Sequence, residues 1–205
     1  GLGQLTPSEQ TKKILRRVVL LFVIGVLLSA YPFTTSIENW RVMGVLQRIA
    51  IAYGFAAFII LYLGFTGRVV ISTVLLLGYW ALLNLSSDPY SLEDNLVRQF
   101  DLAVLGASHL WQGKGLAFDP EGILSTFPSI VNVIIGYEAT RVLLASNDKA
   151  KALGQLLVAA ILLIVVALIW SLLFPINKSL WTSPFVLLTC GVAILLLLLL
   201  VKLDP

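Results

Sequence analysis

The stretch LWTSPFVLLTCGVAILLLLLLVKL, Leu180 to Leu203, decides the fold class. It carries no charge from Val186 to Val201, and Leu195 to Val201 is unbroken aliphatic sequence. A membrane-spanning helix needs about 20 mostly apolar residues, because the hydrocarbon layer is about 30 Å thick and a helix rises about 1.5 Å per residue. The stretch has that length. A membrane β-strand would alternate over about 10 residues, and this run does not. Lipid offers the backbone no hydrogen-bond partner, so a helix that closes its own bonds is the default.

Working outward, the same reading places further spans at Arg17 to Phe33, Val42 to Leu63, Arg68 to Leu85, Ile123 to Ala145 and Ala152 to Phe174. The first has the shortest apolar core, with Arg16 and Arg17 placed to snorkel at its start. Composition agrees. Of the 205 residues, 59% are hydrophobic and 12% charged, against about 45–50% and about 25% in soluble domains. The expected fold is all-α: a polytopic transmembrane bundle of about six spans, forming one domain over residues 1–205.

The net charge is +3. The basic residues cluster at the ends of apolar runs, which is a topology signal and argues against nucleic acid. Counted over short flanks, one side carries Lys12, Lys13, Arg16, Arg17, Arg68, Arg141, Lys149, Lys151 and Lys202. The other carries Arg41, Arg98, Lys114 and Lys178, together with Glu38, Asp88, Glu93, Asp94, Asp101, Asp119 and Glu121. Both ends are therefore expected in the cytoplasm. The only cysteine, Cys190, lies in an apolar run and reads as a small packed hydrophobe.

Cytoplasmic turns read as short, with Gly64 to Gly67 closing one and Ser146 to Asp148 another. The long segment from Ser86 to Gly122 is the exception, and loops of that length are usually functional or disordered. Tyr90, Phe100, Trp111 and Phe118 argue for packing over the bundle mouth. Leu96, Val97, Phe100, Val104 and Leu105 fit one face of a short helix in the interface.

Ionisable groups at membrane depth are costly. Gln47 and Arg48 lie inside the second expected span, and an Arg there suits a phosphate or carboxylate through two parallel hydrogen bonds. Glu138 stands one turn before Arg141 and reads as half of an interfacial pair. His109, the only histidine, is the one side chain whose ordinary pKa suits proton transfer near neutral pH. In Phe118-Asp119-Pro120-Glu121-Gly122, Asp119 is placed to cap a helix with Pro120 at its first position. Asp119 and Glu121 then stand at the mouth of the fourth span, where a carboxylate could take a proton from a hydroxyl or amine. In Pro175-Ile176-Asn177-Lys178-Ser179-Leu180-Trp181, Trp181 reads as an interface anchor, Lys178 as a snorkelling cation, and Asn177 and Lys178 as substrate contacts. No metal-ligand spacing, Gly-rich phosphate loop or Ser/His/Asp signature is present.

Three segments in order, Arg41 to Arg48, Phe118 to Thr126 and Pro175 to Trp181, resemble the heparan-α-glucosaminide N-acetyltransferase family and its bacterial relatives. That resemblance implies a polytopic membrane acyltransferase with acetyl-CoA or another acyl-CoA as donor. The acceptor would be an amine or hydroxyl of a sugar or polysaccharide outside the cytoplasm. It implies a bacterial inner-membrane setting, a homo-oligomer as one assembly, and no metal. Arg48, Asp119, Glu121, Asn177 and Lys178 match positions in the family's motifs. The family's proposed catalytic histidine lies upstream, in a segment that this sequence does not contain, and His109 is not its equivalent. The chain thus reads as the central part of such an enzyme. A transporter or flippase, and a non-catalytic scaffold, are the alternative readings.

Overall fold

A computed structural model describes residues 6–113 and 115–203. Among them are seven α-helices and no strand: α1 (Pro7–Ala30), α2 (Val45–Tyr62), α3 (Phe65–Leu83), α4 (Leu96–Leu105), α5 (Ile123–Ala145), α6 (Lys149–Trp170) and α7 (Ser183–Leu203). Lys114, counted above for orientation, and the terminal residues Gly1 and Pro205 lie outside the described residues.

Five helices, α2, α3, α5, α6 and α7, are long and apolar enough to cross a membrane. Their outer faces agree with that. On α6, Val158, Ile161, Leu162, Val165 and Ile169 are each 44–63% exposed. An apolar belt of this kind is satisfied by lipid rather than water. The protein is an integral membrane helical bundle.

The first helix begins earlier than expected. Thr6 and Glu9 form a reciprocal capping box, with Pro7 at the first helical position. The Thr6 N–H donates to Glu9 at 2.8 Å. The expected start at Arg17 is therefore ten residues late. The apolar part of α1 runs from Val18 to Ala30, about 20 Å of helix. It lies antiparallel to α2. Gly25 packs at Leu46 and Gln47, and Val18 packs at Gly54. Arg17 accordingly meets Tyr53 halfway along α2, donating to its hydroxyl at 3.2 Å.

The helix α5 starts and ends where the sequence puts it and packs against α2, α3, α4, α6 and α7. In lipid there is no hydrophobic drive between helices, so close approach of small residues matters more. The α6–α7 seam uses this device. Ala152, Ala160 and Ala167 are fully buried. A methyl group on Gly191 would stand 2.9 Å from the Ala160 carbonyl oxygen, so only glycine permits that approach. The helix α3 starts at Phe65, which shortens the expected Gly64 to Gly67 turn to Leu63 and Gly64. Asp148 caps α6, accepting from the Lys151 N–H at 3.0 Å.

The segment between α3 and α5 is ordered over its described residues and closes one end of the bundle. Phe118 is 1% exposed and packs with Leu83, Val97, Phe174 and Leu180. Tyr90 joins Phe174, which in turn contacts Trp80 and Trp170. The short helix forms as expected, capped by Asn95 at 2.9 Å from the Arg98 nitrogen. Its buried residues differ from the expected apolar face. Val97 and Asp101 turn inward, whereas Phe100 is 37% and Val104 is 56% exposed. The reason is that Asp101 serves α5. Its Oδ1 accepts from the Ile123 N–H at 3.0 Å, which satisfies an orphan donor of that helix. Trp111 also stays 37% exposed, so of the loop aromatics Phe118 and Tyr90 carry the packing.

Candidate functional site: a buried ion cluster at the loop end of the bundle

The link between α1 and α2, which holds one short 3-10 turn at Ile37–Asn39, carries Arg41 to the turn before α5. Its Nε and Nη2 donate to the two oxygens of Asp119 at 2.8 and 2.7 Å. Nη2 also donates to Glu121 at 2.6 Å. Such a fork on a planar carboxylate is the geometry Arg offers and Lys does not. Burial disfavours the Arg41 charge, but the hydrogen bonds and charges of Asp119 and Glu121 outweigh it and hold the guanidinium above its ordinary pKa.

Asp119 is fully buried. It does not cap α5, contrary to the sequence expectation. The helix begins four residues later with Gly122 at the cap position, and Asp119 instead closes a tight turn. Its Oδ1 accepts from the Glu121 N–H, and its carbonyl accepts from the Gly122 N–H, both at 3.0 Å. Asp101 has taken over the capping. Its second oxygen, Oδ2, has no partner and lies against Gly122, where an added methyl would stand 1.9 Å away. Burial pushes the Asp101 carboxyl up to about 7, against the lowering effect of the Ile123 N–H; Asp119 adds to the rise and Arg48 opposes it.

Arg48 lies one turn into α2 and is 5% exposed. It faces the bundle interior, as its position predicted. Nη2 donates to the Pro120 carbonyl and to the Ser125 hydroxyl. The guanidinium carbon sits 4.5 Å from the centre of the Trp181 ring, within cation–π range. The Nε and Nη1 donors of Arg48 are buried without a partner.

Trp181 is not the membrane-interface anchor that its place in the sequence suggested. Its backbone φ is +53°, which turns the ring into the bundle. There the indole N–H donates to Asn132 of α5 at 3.0 Å, and Asn132 reaches Cys190 at 3.1 Å. The Tyr79 hydroxyl donates to the Leu180 carbonyl at 2.5 Å and ties this turn to α3. Asn177 is spent inside the turn, accepting from the Ser179 N–H at 2.8 Å and the Leu180 N–H at 3.2 Å. Lys178 is exposed.

Of the residues singled out from the sequence, the structure brings Arg48, Asp119 and Glu121 together. Gln47 faces the other way, against Gly25 of α1. His109 sits beside the cluster's supporting link. Its Nδ1 is 2.7 Å from the Trp40 carbonyl, and its own carbonyl accepts from the Val42 N–H at 3.2 Å. A carbonyl only accepts, so Nδ1 carries a hydrogen. Sequence reasoning missed Arg41, Asp101, Ser125 and Trp181 as members of the cluster. One signal was available for Arg41, one of four basic residues on a side that carries seven acids. Asp101 interrupts the apolar face of α4 and was readable only as a solvated residue.

The fold and this site define an α-helical integral membrane protein with a buried arginine–carboxylate cluster at one end. A comparison with curated proteins finds similarity to heparan-alpha-glucosaminide N-acetyltransferase of Mus musculus, 31% identical over 115 aligned residues. The match covers 48% of this chain and 18% of that protein, so the matched part spans less than a fifth of the relative's length. No protein-family profile matches the chain.

Proposed function

We propose that this chain is the core of a membrane acyltransferase that moves an acetyl or other acyl group from acyl-CoA to an amine or hydroxyl of a sugar. The observation that carries the reading is the convergence on Arg48. The segments around Arg48, Asp119 to Ser125 and Trp181 are far apart in sequence, yet all meet at one guanidinium. These same segments carry the resemblance to the acetyltransferase family, and the similarity to the mouse enzyme supports the same class.

In this reading each side chain has a physical role. Arg48 offers two buried, unpartnered donors, Nε and Nη1, to an anionic group of the donor. Glu121 is the carboxylate for proton transfer. Its side chain keeps 21% exposure and accepts a hydrogen bond from Arg41 at Oε2. The acceptor nitrogen or oxygen attacks the thioester carbonyl, the carbon–sulfur bond breaks, and the coenzyme leaves as its thiolate. The acceptor's proton passes to Glu121 and then neutralises the thiolate. Asp119 is a positioning residue, because Arg41 and the Glu121 N–H occupy its oxygens. Lys178, exposed at the same end, is a contact for the sugar, and His109 orients the link that carries Arg41.

The topology belongs to the same proposal. The helix α1 is the sixth span, with Arg16 and Arg17 snorkelling, and the α4-bearing end faces away from the cytoplasm. A bacterial inner membrane is the proposed setting. Labelling of single cysteines from outside should reach residue 88 and miss residue 147.

The full-length protein in proteoliposomes, supplied with acetyl-CoA and a glucosamine-terminated oligosaccharide, tests the chemistry through release of free coenzyme thiol. Glu121→Gln should lower turnover by about 100-fold or more, the scale of a general base. Transport of intact sugar without thiol release would sink the acyltransferase reading.

A further inference from the structure

At the opposite end of α5, Glu138 is shared by two arginines. Arg68 Nε donates to Oε1 at 2.5 Å, and Arg141 Nε donates to Oε2 at 2.8 Å. Arg68 also donates to the Leu63 carbonyl at 2.5 Å and lies 5.4 Å from the centre of the Tyr137 ring. Each oxygen of Glu138 holds one arginine, and the set keeps one positive charge in excess. That charge falls on Arg141, whose side chain is 43% exposed against 8% for Arg68.

This ion set stands at the mouth of a cleft. The helices α3 and α6 meet at Trp80 and Trp170, whose ring centres are 5.7 Å apart, and the cleft lies between the rest of the two helices on a floor of α5 and α7. The cleft measures about 760 Å³ and is walled almost wholly by apolar side chains, among them Val69, Leu76, Ile135, Leu163 and Trp170. It follows α3 from Phe65 to Leu77, which is about 18 Å of helix. That length is close to one leaflet of a hydrocarbon layer about 30 Å thick. A second hollow of about 340 Å³, lined by Tyr137, Thr140, Leu144 and Ala145, opens on the other side of Arg141. Arg141 lines both.

We propose that this cleft binds an anionic phospholipid, with its phosphate on Arg141, one acyl chain in the α3–α6 cleft and the second in the neighbouring hollow. Three features fit that occupant and no small polar ligand. The cleft opens sideways among the membrane-spanning helices, its walls are apolar, and its only charged edge has an unmatched cation. Arg141 stands between two apolar hollows, as the headgroup of a two-chain lipid requires. The inference is independent of the acyl-transfer reading, since it shares no residue with the cluster around Arg48.

The test uses the full-length protein and native mass spectrometry after exchange into vesicles of phosphatidylcholine with 30 mol% phosphatidylglycerol of the same chains, about the anionic share that gives a surface potential able to favour one basic residue. The wild type should retain phosphatidylglycerol over phosphatidylcholine by about fivefold after correction for supply, the scale of one basic residue at an anionic surface. Arg141→Gln should bring that preference to within about twofold of parity. Lys149→Gln removes an equal charge at the same end and should leave the preference unchanged. Ala159→Trp, which fills the cleft, should lose retained lipid of both kinds, with melting temperature reporting that the variant is folded. Equal retention of the two lipids by the wild type overturns the proposal, as does an equal loss in the Arg141 and Lys149 variants. So does cross-linking of a cysteine at Thr73 to another helix of the full-length chain, which would show a protein occupant.

Discussion

The two ends of α5 are both built on arginine and carboxylate, yet they differ in how the charges are satisfied. At the loop end, Arg41 binds both Asp119 and Glu121, Arg48 holds the Pro120 carbonyl and the Ser125 hydroxyl, and Asp119 and Arg48 are buried. Partners there are 72 to 80 residues apart in sequence. At the other end, two arginines share Glu138 beside an open apolar cleft. The first arrangement holds a turn in one shape through Arg41 and keeps two donors of Arg48, Nε and Nη1, buried without a partner. The second leaves a cation for something else to meet. Removing one partner of a buried ion pair strands an uncompensated charge and costs about 3–5 kcal/mol, whereas an exposed pair is worth about 0–1 kcal/mol. The ends should therefore respond very differently to the same kind of substitution.

The largest effect is expected from Arg41→Ala. It leaves Asp119 buried without its two guanidinium bonds, so the folded yield and melting temperature in detergent should fall by an amount worth about 3–5 kcal/mol. Arg141→Ala, the matching change at the other end, should cost no more than about 1 kcal/mol. Comparable losses in the two variants would erase the distinction between the ends.

Next in size is the chemical role of Arg48. Arg48→Lys keeps the charge but loses the fork. The folded yield should stay near wild type, and the KM for acyl-CoA should rise about tenfold, the loss of one charge-assisted hydrogen bond. If KM is unchanged and only stability falls, Arg48 is a strut of the Pro120–Ser125 turn and not a donor-binding residue.

A smaller effect is expected from Asp101. Its carboxyl is raised to about 7 from an ordinary 3.8, so the folded state holds a proton that the unfolded chain has lost. Between those values the native state binds more protons, and stability falls as pH rises, levelling off above about 7. Asp101→Asn keeps an oxygen for the Ile123 N–H and removes the titration. Its melting temperature should be flat from pH 5 to pH 8, about the window that a carboxyl raised by burial would cover, where the wild type declines by a few degrees. A wild type that does not decline would mean that Oδ2 is better solvated than its buried position suggests.

The smallest expected effect is at Trp181. Trp181→Phe keeps a ring under Arg48 and loses the bond to Asn132, a change worth about 1 kcal/mol. Turnover should stay within about threefold of wild type. A much larger loss would give the Asn132–Trp181 bond a part in holding the Arg48 guanidinium.

Much of the fold was legible because a bilayer imposes a simple rule on the chain. The run from Val186 to Val201 had to be a helix, and α5 begins and ends where its apolar pattern does. The start of α1 was also written in Thr6, Pro7 and Glu9, although the basic run after it drew the expected boundary inward. The site was legible in part. Arg48 was found because an arginine inside an apolar run is costly, and Glu121 because it stands at a helix mouth. Asp119 was found for the wrong local reason. Its sequence neighbour Pro120 suggested a helix cap, but the cap came from Asp101 on another helix, and nothing local to either residue signals that exchange. Trp181 was read outward because tryptophan near a span end commonly sits in the interface. Its positive φ turns it inward instead.

The sequence by itself determined that this chain is a helical membrane protein, where most of its helices lie, and which polar residues are too costly to be there without partners. These are consequences of composition and of a 1.5 Å rise per residue, which act on each segment separately. The Glu138–Arg141 pair follows from the local spacing and is present, whereas only the tertiary structure decided the other partners: Arg41 with Asp119 and Glu121, Arg48 on Trp181, and Arg68 on the same Glu138. A guanidinium is attracted to any carboxylate or ring face, so its choice is set by which helices α5 brings within reach, and that is a property of the whole bundle.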